Sequence, residues 1–391
     1  MLKRKSNKLN GCKIALCITG SIAAIEAPKL AREMIRHGAG ITAYMSPDSQ
    51  RILNPNAMEY ATGKKVVVEN TGKLEHIRNF DLIIIAPATA TTIGKLAHGI
   101  GDNVVTALIL SSLTNVLIVP AMHASMYHNP IIEKNMKTLR DLGFAFADPN
   151  ISEEAAKMAM AEEITDKAIS QIHKKDYKGL RVLITAGPTN EYIDPIRFIT
   201  NKSSGKMGLA MAKEAFYRGA QTTLIMGDSE LKCPSYIKKL EVETSKEMNQ
   251  IVLGEINKTD IFISAAAVSD FTTDKSEKKI SSKKELIINL IPANKILKTV
   301  KNIPCTKVGF KALEKVTVKE LTDASNFILK KYGLDLVVAN DVSKDIFGSE
   351  ETEITIVTKD AITEIPRSHK SVVASIILNE VLDIRRKKDE S

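Results

Sequence analysis

The chain has 391 residues, 44% hydrophobic and 26% charged, the make-up of an ordinary globular protein of two or three domains. No apolar run approaches the ~18 residues of a membrane-spanning helix, and the basic segment 3–8 lacks the apolar core of a signal peptide, so a cytoplasmic location is expected and a membrane partner is not. Much of the net charge of +9 sits in the two tails, and without Trp or basic–aromatic interleaving the chain does not read as a nucleic-acid binder.

From the N-terminus, apolar runs at 13–18, 41–45, 81–86, 116–119 and 144–147 predict strands, and amphipathic stretches at 22–37, 91–98, 104–111 and 131–142 predict helices. The alternation predicts a parallel, doubly wound α/β sheet, in which ligands lie outside the carboxyl ends of the strands. Thr19-Gly20-Ser21-Ile22 follows the first strand. Its N–H groups and the Ser21 hydroxyl suit a phosphate, though a plain tight turn reads the same way. Ser46 ends the second strand, Ala88 and Thr89 the third, and Met122-His123 follows the fourth. Small and hydroxyl residues at several strand ends suggest one flat cofactor across the edge. Gly99-Ile100-Gly101-Asp102-Asn103 leads into the helix carrying Thr106, as a cap or as a ligand contact. The absence of GxGxxG disfavours a nicotinamide dinucleotide. Cys12, Cys17, Cys233 and Cys305 form no CxxC pair and no zinc-ligand pattern, so they read as core or edge thiols in a reducing compartment.

A polar, helix-like run at 162–178 joins the halves, and the boundary is expected at 178/179. Beyond it, strands are expected at 181–185, 221–226, 237–242, 260–264, 285–290, 306–310, 334–339 and 353–358, and helices at 206–218, 245–256, 318–332 and 369–385. Asn201-Lys202-Ser203-Ser204-Gly205-Lys206 precedes the first of these helices. Hydroxyls, a glycine and two lysines at a helix start form an anion trap. It is not a Walker A loop, because the first glycine is missing and Met207 follows the lysine. After the strand ending at Ser264 come small residues around Ala266 and then Asp270. Lys279 stands on a polar loop, Phe310 at a strand end, and Lys330 and Lys331 on a helix whose solvated face would explain them equally well.

Gly-Ser-Ile-Ala-Ala from Gly20, Ala-Pro-Ala-Thr-Ala from Ala86, Gly-Ile-Gly-Asp-Asn from Gly99 and Pro-Ala-Met from Pro120 resemble the flavin-dependent cysteine decarboxylases. Ser-Ser-Gly-Lys-Met-Gly from Ser203 resembles the phosphopantothenate–cysteine ligases. In this order, from about residue 13 to about 382, the chain resembles the family that fuses a phosphopantothenoylcysteine decarboxylase to that ligase.

The resemblance implies two doubly wound, Rossmann-like three-layer domains: a flavodoxin-like flavin domain over 1–178 and a ligase domain over 179–391. It implies FMN held by Gly20, Ser21, Ile22, Ser46, Ala88, Thr89 and Thr106, with His76 as the base on the substrate. His123 replaces the asparagine that holds the substrate carboxylate in bacterial members, and an imidazole can also donate there. The flap region 149–159 lacks the family's catalytic cysteine. Either another group donates the late proton, with His123 the named candidate and Lys157 a clamp on the substrate, or this half is impaired. In the ligase half the resemblance assigns turnover of an acyl-nucleotide to Asn201, the triphosphate to Lys279, and the nucleotide to Ser203, Ser204, Gly205, Ala266, Asp270, Phe310, Lys330 and Lys331. Asp270 would also hold Mg²⁺. The substrates would be 4'-phosphopantothenate, cysteine and a nucleotide. The resemblance favours CTP, and the residues alone do not decide between CTP and ATP. Trimeric flavin halves and dimeric ligase halves would make a homo-oligomer. Two other readings stay open: a ligase with a degenerate flavin-binding half, and a flavoprotein regulatory subunit without turnover.

Overall fold

Every residue of Lys13–Ile18 (β1) after the first is buried, as a strand covered on both faces must be. The computed structural model describes residues 3–71, 74–281, 285–344 and 348–389. Its chain divides into the units Met1–His173 and Lys174–Ser391. In the first unit β1 is followed by β2 (Gly40–Met45), β3 (Leu82–Ala88), β4 (Val116–Pro120), β5 (Met122–His123), β6 (Ala145–Phe146), β7 (Asn150–Ile151) and β8 (Ala155–Lys157). A five-stranded parallel sheet runs β2-β1-β3-β4-β6, the flavodoxin-like doubly wound order. A separate antiparallel sheet, β5-β8-β7, stands just beyond the end of β4.

Ala15 and Cys17 of β1 join a core with residues of the helices Ala90–Ala97, Val104–Leu110 and Pro130–Asp141. The helices Ala27–Arg36 and Ala161–Ile172 pack together. The helix expected over 22–37 is divided: Ile22–Glu26 is a 3₁₀ turn and the α-helix starts at Ala27. Pro28 has no N–H to give and is tolerated only in a first turn. The helix Pro55–Thr62, opened by Asn54 and a first-position proline, was not expected.

The second unit holds β9 (Arg181–Ala186), β10 (Asn190–Tyr192), β11 (Phe198–Thr200), β12 (Gln221–Met226), β13 (Lys238–Glu241), β14 (Ile261–Ser264), β15 (Phe271–Thr272), β16 (Ile291–Pro292), β17 (Thr306–Leu313), β18 (Leu336–Asp341), β19 (Glu351–Thr358) and β20 (Ile362–His369). Its eight-stranded sheet runs β13-β12-β9-β14-β17-β18-β19-β20. The first six strands are parallel in the Rossmann order, and the last two are antiparallel. Val182 and Ile184 face one core with Met211 and Leu378, while Leu183 faces another with Met248 and Phe262. The helix Lys206–Tyr217 lies close on β9, where a Cβ at Gly208 would run into that of Ala186. Tyr177 is buried in this unit, and its hydroxyl donates to the Leu378 carbonyl at 2.5 Å.

The strand expected at 285–290 is not one. Leu286, Ile287 and Leu290 are exposed, and only β16, just beyond, pairs with β15. Apolar content suggested a strand there, but no core receives these side chains.

The basic N-terminal segment is anchored rather than free. Lys5 N–H donates to the Arg36 carbonyl at 2.8 Å, Leu9 is fully buried, and the Lys5 ammonium reaches Glu33 at 2.6 Å. Burial alone would push the Glu33 carboxyl up, but hydrogen bonds from His37 and Lys5 bring it from 4.5 down to about 2. A depressed folded-state pKa contributes stability that is full above the unfolded value and lost as pH falls through the folded one. Glu33→Gln is therefore expected to destabilise the unit by about 2 kcal/mol near neutral pH, the difference closing as pH falls from about 4.5 toward 2. Thermal unfolding of both proteins across that range checks this; a pH-independent difference would remove the ion pair from the account.

Candidate functional sites

Three helix starts converge at the carboxyl edge of the first sheet. Ser21 accepts from Ala23 N–H at 3.4 Å, Ser46 from Ser49 N–H at 3.3 Å, and Thr89 from Thr92 N–H at 3.2 Å. The Thr19 hydroxyl donates to the Pro87 carbonyl at 2.7 Å and accepts from Thr89 N–H at 3.1 Å, tying the ends of β1 and β3 together. Between them lies a cavity of about 840 Å³ whose wall includes Gly20, Ser21, Ile22, Ser46, Thr89 and His123. Helix starts and hydroxyls at one part of the wall suit a phosphate, and Ile22, Met122, Met126 and Met158 give it apolar surface for a flat ring. The residues present therefore fit a flavin mononucleotide.

Two expected contacts stand behind this wall. Ala88 is fully buried among core residues. Thr106 is 1% exposed, and its hydroxyl accepts from Asn103 N–H at 3.2 Å in a capping box. Asn103, with Asp102, does line the cavity. The Lys95 ammonium, 2.5 Å from Asp102, holds that carboxyl below its ordinary range. No spacing rule signals this pair, because it closes across a loop.

His123 in β5 sits opposite Ala155 in β8, and its Nδ1 lies 3.1 Å from the Glu154 carbonyl. Lys157, at the end of β8, lines the same cavity. The small antiparallel sheet thus brings both expected substrate groups to one wall. His76 lies in the 3₁₀ turn Glu75–Ile77, and its side chain is outside the described residues. That turn is fixed by Glu75. The hydrogen bonds of the Thr71 hydroxyl and N–H hold its carboxyl at about 2, and the Tyr44 hydroxyl donates to its carbonyl at 2.9 Å.

In the second unit Gly205 caps the helix Lys206–Tyr217 at φ +76° and has no side chain of its own to give, while Lys206 N–H donates to the Ser204 hydroxyl at 3.4 Å. A Cβ there would be strained and would lie 3.2 Å from the Gly187 nitrogen. Ser203, Ser204, Gly205 and Phe310 line a cavity of about 160 Å³, joined by Asn340 and Lys370. Both lysines of the expected anion trap, Lys202 and Lys206, line this cavity, and Lys206 has partners in the fold. Its ammonium donates to the Gly348 carbonyl at 2.5 Å and to Glu350 at 2.6 Å, and so is engaged within the fold. Lys370, whose ammonium donates to the Ser349 carbonyl at 2.5 Å, joins them at the cavity. Its signal was unreadable because it arrives from the start of the last helix, far along the chain.

Asn201 Nδ2 donates to the Val268 carbonyl at 3.2 Å, joining the anion loop to the segment after β14. Ala266 N–H bonds the Thr185 hydroxyl at 3.3 Å, and it is Ala265 that lines the cavity. Asp270 is exposed and ion-paired with Lys295. Burial lowers the Lys295 pKa, and so do the charges of Lys311 and Lys331, so these lysines share one field beside Asp270. Lys331 also lies 5.2 Å from the Phe327 ring centre, and Lys330 is exposed on the same helix end. Lys279 is exposed. Its loop is pinned where Ile280 N–H donates to Asp194 at 3.2 Å and the Ile280 carbonyl accepts from Arg197 at 3.2 Å.

A family model described as the C-terminal domain of DNA/pantothenate metabolism flavoprotein matches residues 177–384, and one described as flavoprotein matches residues 2–173. The chain is 45% identical to the coenzyme A biosynthesis bifunctional protein CoaBC of Thermococcus kodakarensis, with 96% of each chain covered. It is 39% identical to the protein of that name from Methanocaldococcus jannaschii, over 95% of this chain and 94% of the relative. For that of Vibrio cholerae the identity is 34%, over 95% and 98%. Relatives this similar, aligned nearly end to end across both units, place the chain in the family of bifunctional coenzyme A biosynthesis proteins, with a flavoprotein domain as its first half.

Proposed function

We propose that the chain carries out two consecutive steps of coenzyme A biosynthesis. The second unit joins 4'-phosphopantothenate to cysteine at the expense of CTP, and the first decarboxylates the product with FMN. The observation that carries this reading is a cavity at the strand ends of each unit, in a chain that aligns nearly end to end with bifunctional relatives. The same reading has the flavin halves trimerise and the ligase halves dimerise in a cytoplasmic enzyme.

In the ligase, a carboxylate oxygen of 4'-phosphopantothenate attacks the α-phosphorus of CTP and pyrophosphate leaves. Ser203, Ser204 and the helix start at Gly205 receive phosphate oxygens. Lys279, Lys330 and Lys331 face the triphosphate, and Phe310 and the backbone near Ala266 face the nucleoside. Among the described residues no cluster of three or more His, Cys, Asp or Glu is arranged for a metal. One carboxylate plus substrate phosphates is a common Mg²⁺ set, and Asp270, now paired with Lys295, would be that carboxylate. The amine of cysteine then attacks the acyl carbon and CMP leaves. The Asn201 amide, held on the Val268 carbonyl, donates to the carbonyl oxygen as charge grows there.

In the first unit FMN supplies hydride acceptance and return. Gly20, Ser21, Ser46 and Thr89 hold it, and His76 takes the substrate proton. His123 donates to the substrate carboxylate and afterwards supplies the proton that a flap cysteine would give, while Lys157 pairs with the substrate from β8.

Asn201→Ala is expected to keep pyrophosphate release from CTP and 4'-phosphopantothenate but to lower the rate of product formation about 10²-fold, with acyl-cytidylate accumulating in quenched samples. Product at the normal rate would remove Asn201 from the chemistry. His123→Ala is expected to slow enethiol reduction about 10²-fold. His123→Asn should restore carbon dioxide release but not that reduction, and normal rates in both steps for both variants would sink the role. A purified protein that is colourless and releases no carbon dioxide, yet forms the ligase product, would support the degenerate-flavin reading instead.

A further inference from the structure

On the other side of β9 from the Phe310 cavity, at the ends of β12 and β13, lies a second cavity of about 590 Å³. Asn190, Tyr192, Asp228, Glu241, Glu243 and Glu247 line it. The functions assigned above use none of them. The lysine that joins the lining, Lys239, is ion-paired with Glu241, and Glu247 completes the capping box of the helix Ser245–Ile256. The Tyr192 hydroxyl donates to one oxygen of Glu243 at 2.9 Å.

Asn190 is the unusual member. It is 2% exposed, its Nδ2 donates to Asp228 at 2.7 Å, and its Oδ1 has no hydrogen-bond partner. A buried amide oxygen without a donor calls for a missing one. With Asp228 and Glu243 it makes a set of acceptors facing one space, and a ligand that brings several N–H donors and positive charge would satisfy all three.

The cavity adjoins the anion loop through two contacts. Asn190 is the register partner of Thr200, the residue before Asn201. Ser229, also in the lining, donates from its hydroxyl to the Ser204 carbonyl at 2.9 Å. We propose that this cavity takes the α-ammonium group of the amino-acid substrate, cysteine, that one of its carboxylates accepts the proton the nitrogen must lose, and that the free amine then reaches the acyl group held at Asn201. The inference rests on the ligase reading and adds to it the subsite for the second substrate.

The test uses the full-length protein with Asp228→Asn and Glu243→Gln, both at exposed positions. Pyrophosphate release from CTP and 4'-phosphopantothenate without cysteine is measured first, and product formation against cysteine concentration second. Each substitution should raise the KM for cysteine about tenfold or more while leaving pyrophosphate release and the KM for CTP unchanged. Cysteamine, which keeps the amine, should compete with cysteine, and 3-mercaptopropionate, which lacks it, should not. An unchanged cysteine KM in both variants would overturn the proposal, and so would a rise in the CTP KM, which would make the cavity a ribose subsite. Failure of the wild-type protein to release pyrophosphate would bring down the ligase reading itself, a separate result.

Discussion

Each parallel strand that turns into a helix leaves N–H groups at the turn with no partner inside the helix. Both units are arranged around the way those groups are satisfied. In the first, side chains answer them: Ser21, Ser46, Thr89 and Asn103 each cap a helix start at the same sheet edge. Their oxygens are turned to the backbone, so the cavity between them is built from caps, and its polarity comes from the helix starts behind. In the second, Gly205 has no side chain to offer, and its left-handed backbone brings the helix start close to Gly187. One constraint yields a wall of helix starts capped by their own N-cap side chains in one half, and in the other a glycine start whose first N–H leans on the Ser204 hydroxyl before it.

The same constraint explains what could be read from the sequence. Strand ends followed by small and hydroxyl residues mark cavity walls, and Gly20, Ser21, Ser46, Thr89, Ser203, Ser204, Gly205 and Phe310 all stand there. Spacing in the chain does not tell which face of a strand or helix a residue occupies once tertiary pairing intervenes. Ala88 and Thr106 read as ligand contacts because of their neighbours, yet one packs the core and the other closes a cap. Lys206 read as an anion ligand because it opens a helix. Its partner Glu350 lies on a distant segment that ends beside it, and the ion pair holds that carboxyl below its usual range.

Some elements were illegible for a different reason. β20 is mostly exposed at the sheet edge and includes Pro366, so neither an apolar run nor a clean alternation announces it. The segment 285–290 misled in the opposite direction, apolar but solvent-facing. The sheet β5-β8-β7 is made of two- and three-residue strands, too short for any periodicity. It is nonetheless what brings His123 and Lys157 to one wall. Residue identity named them, and only pairing across the chain places them together.

The charges around Asp270 show how a ligand-free arrangement holds itself together. Burial, and after it the charges of Lys311 and Lys331, lower the Lys295 pKa, and Asp270 is the counter-charge that pairs with it. On the proposed reading a triphosphate enters with several negative charges and takes over that pairing. Asp270, freed from Lys295, would then be the carboxylate available to a divalent cation beside the phosphates. Nucleotide and metal would therefore bind as one event.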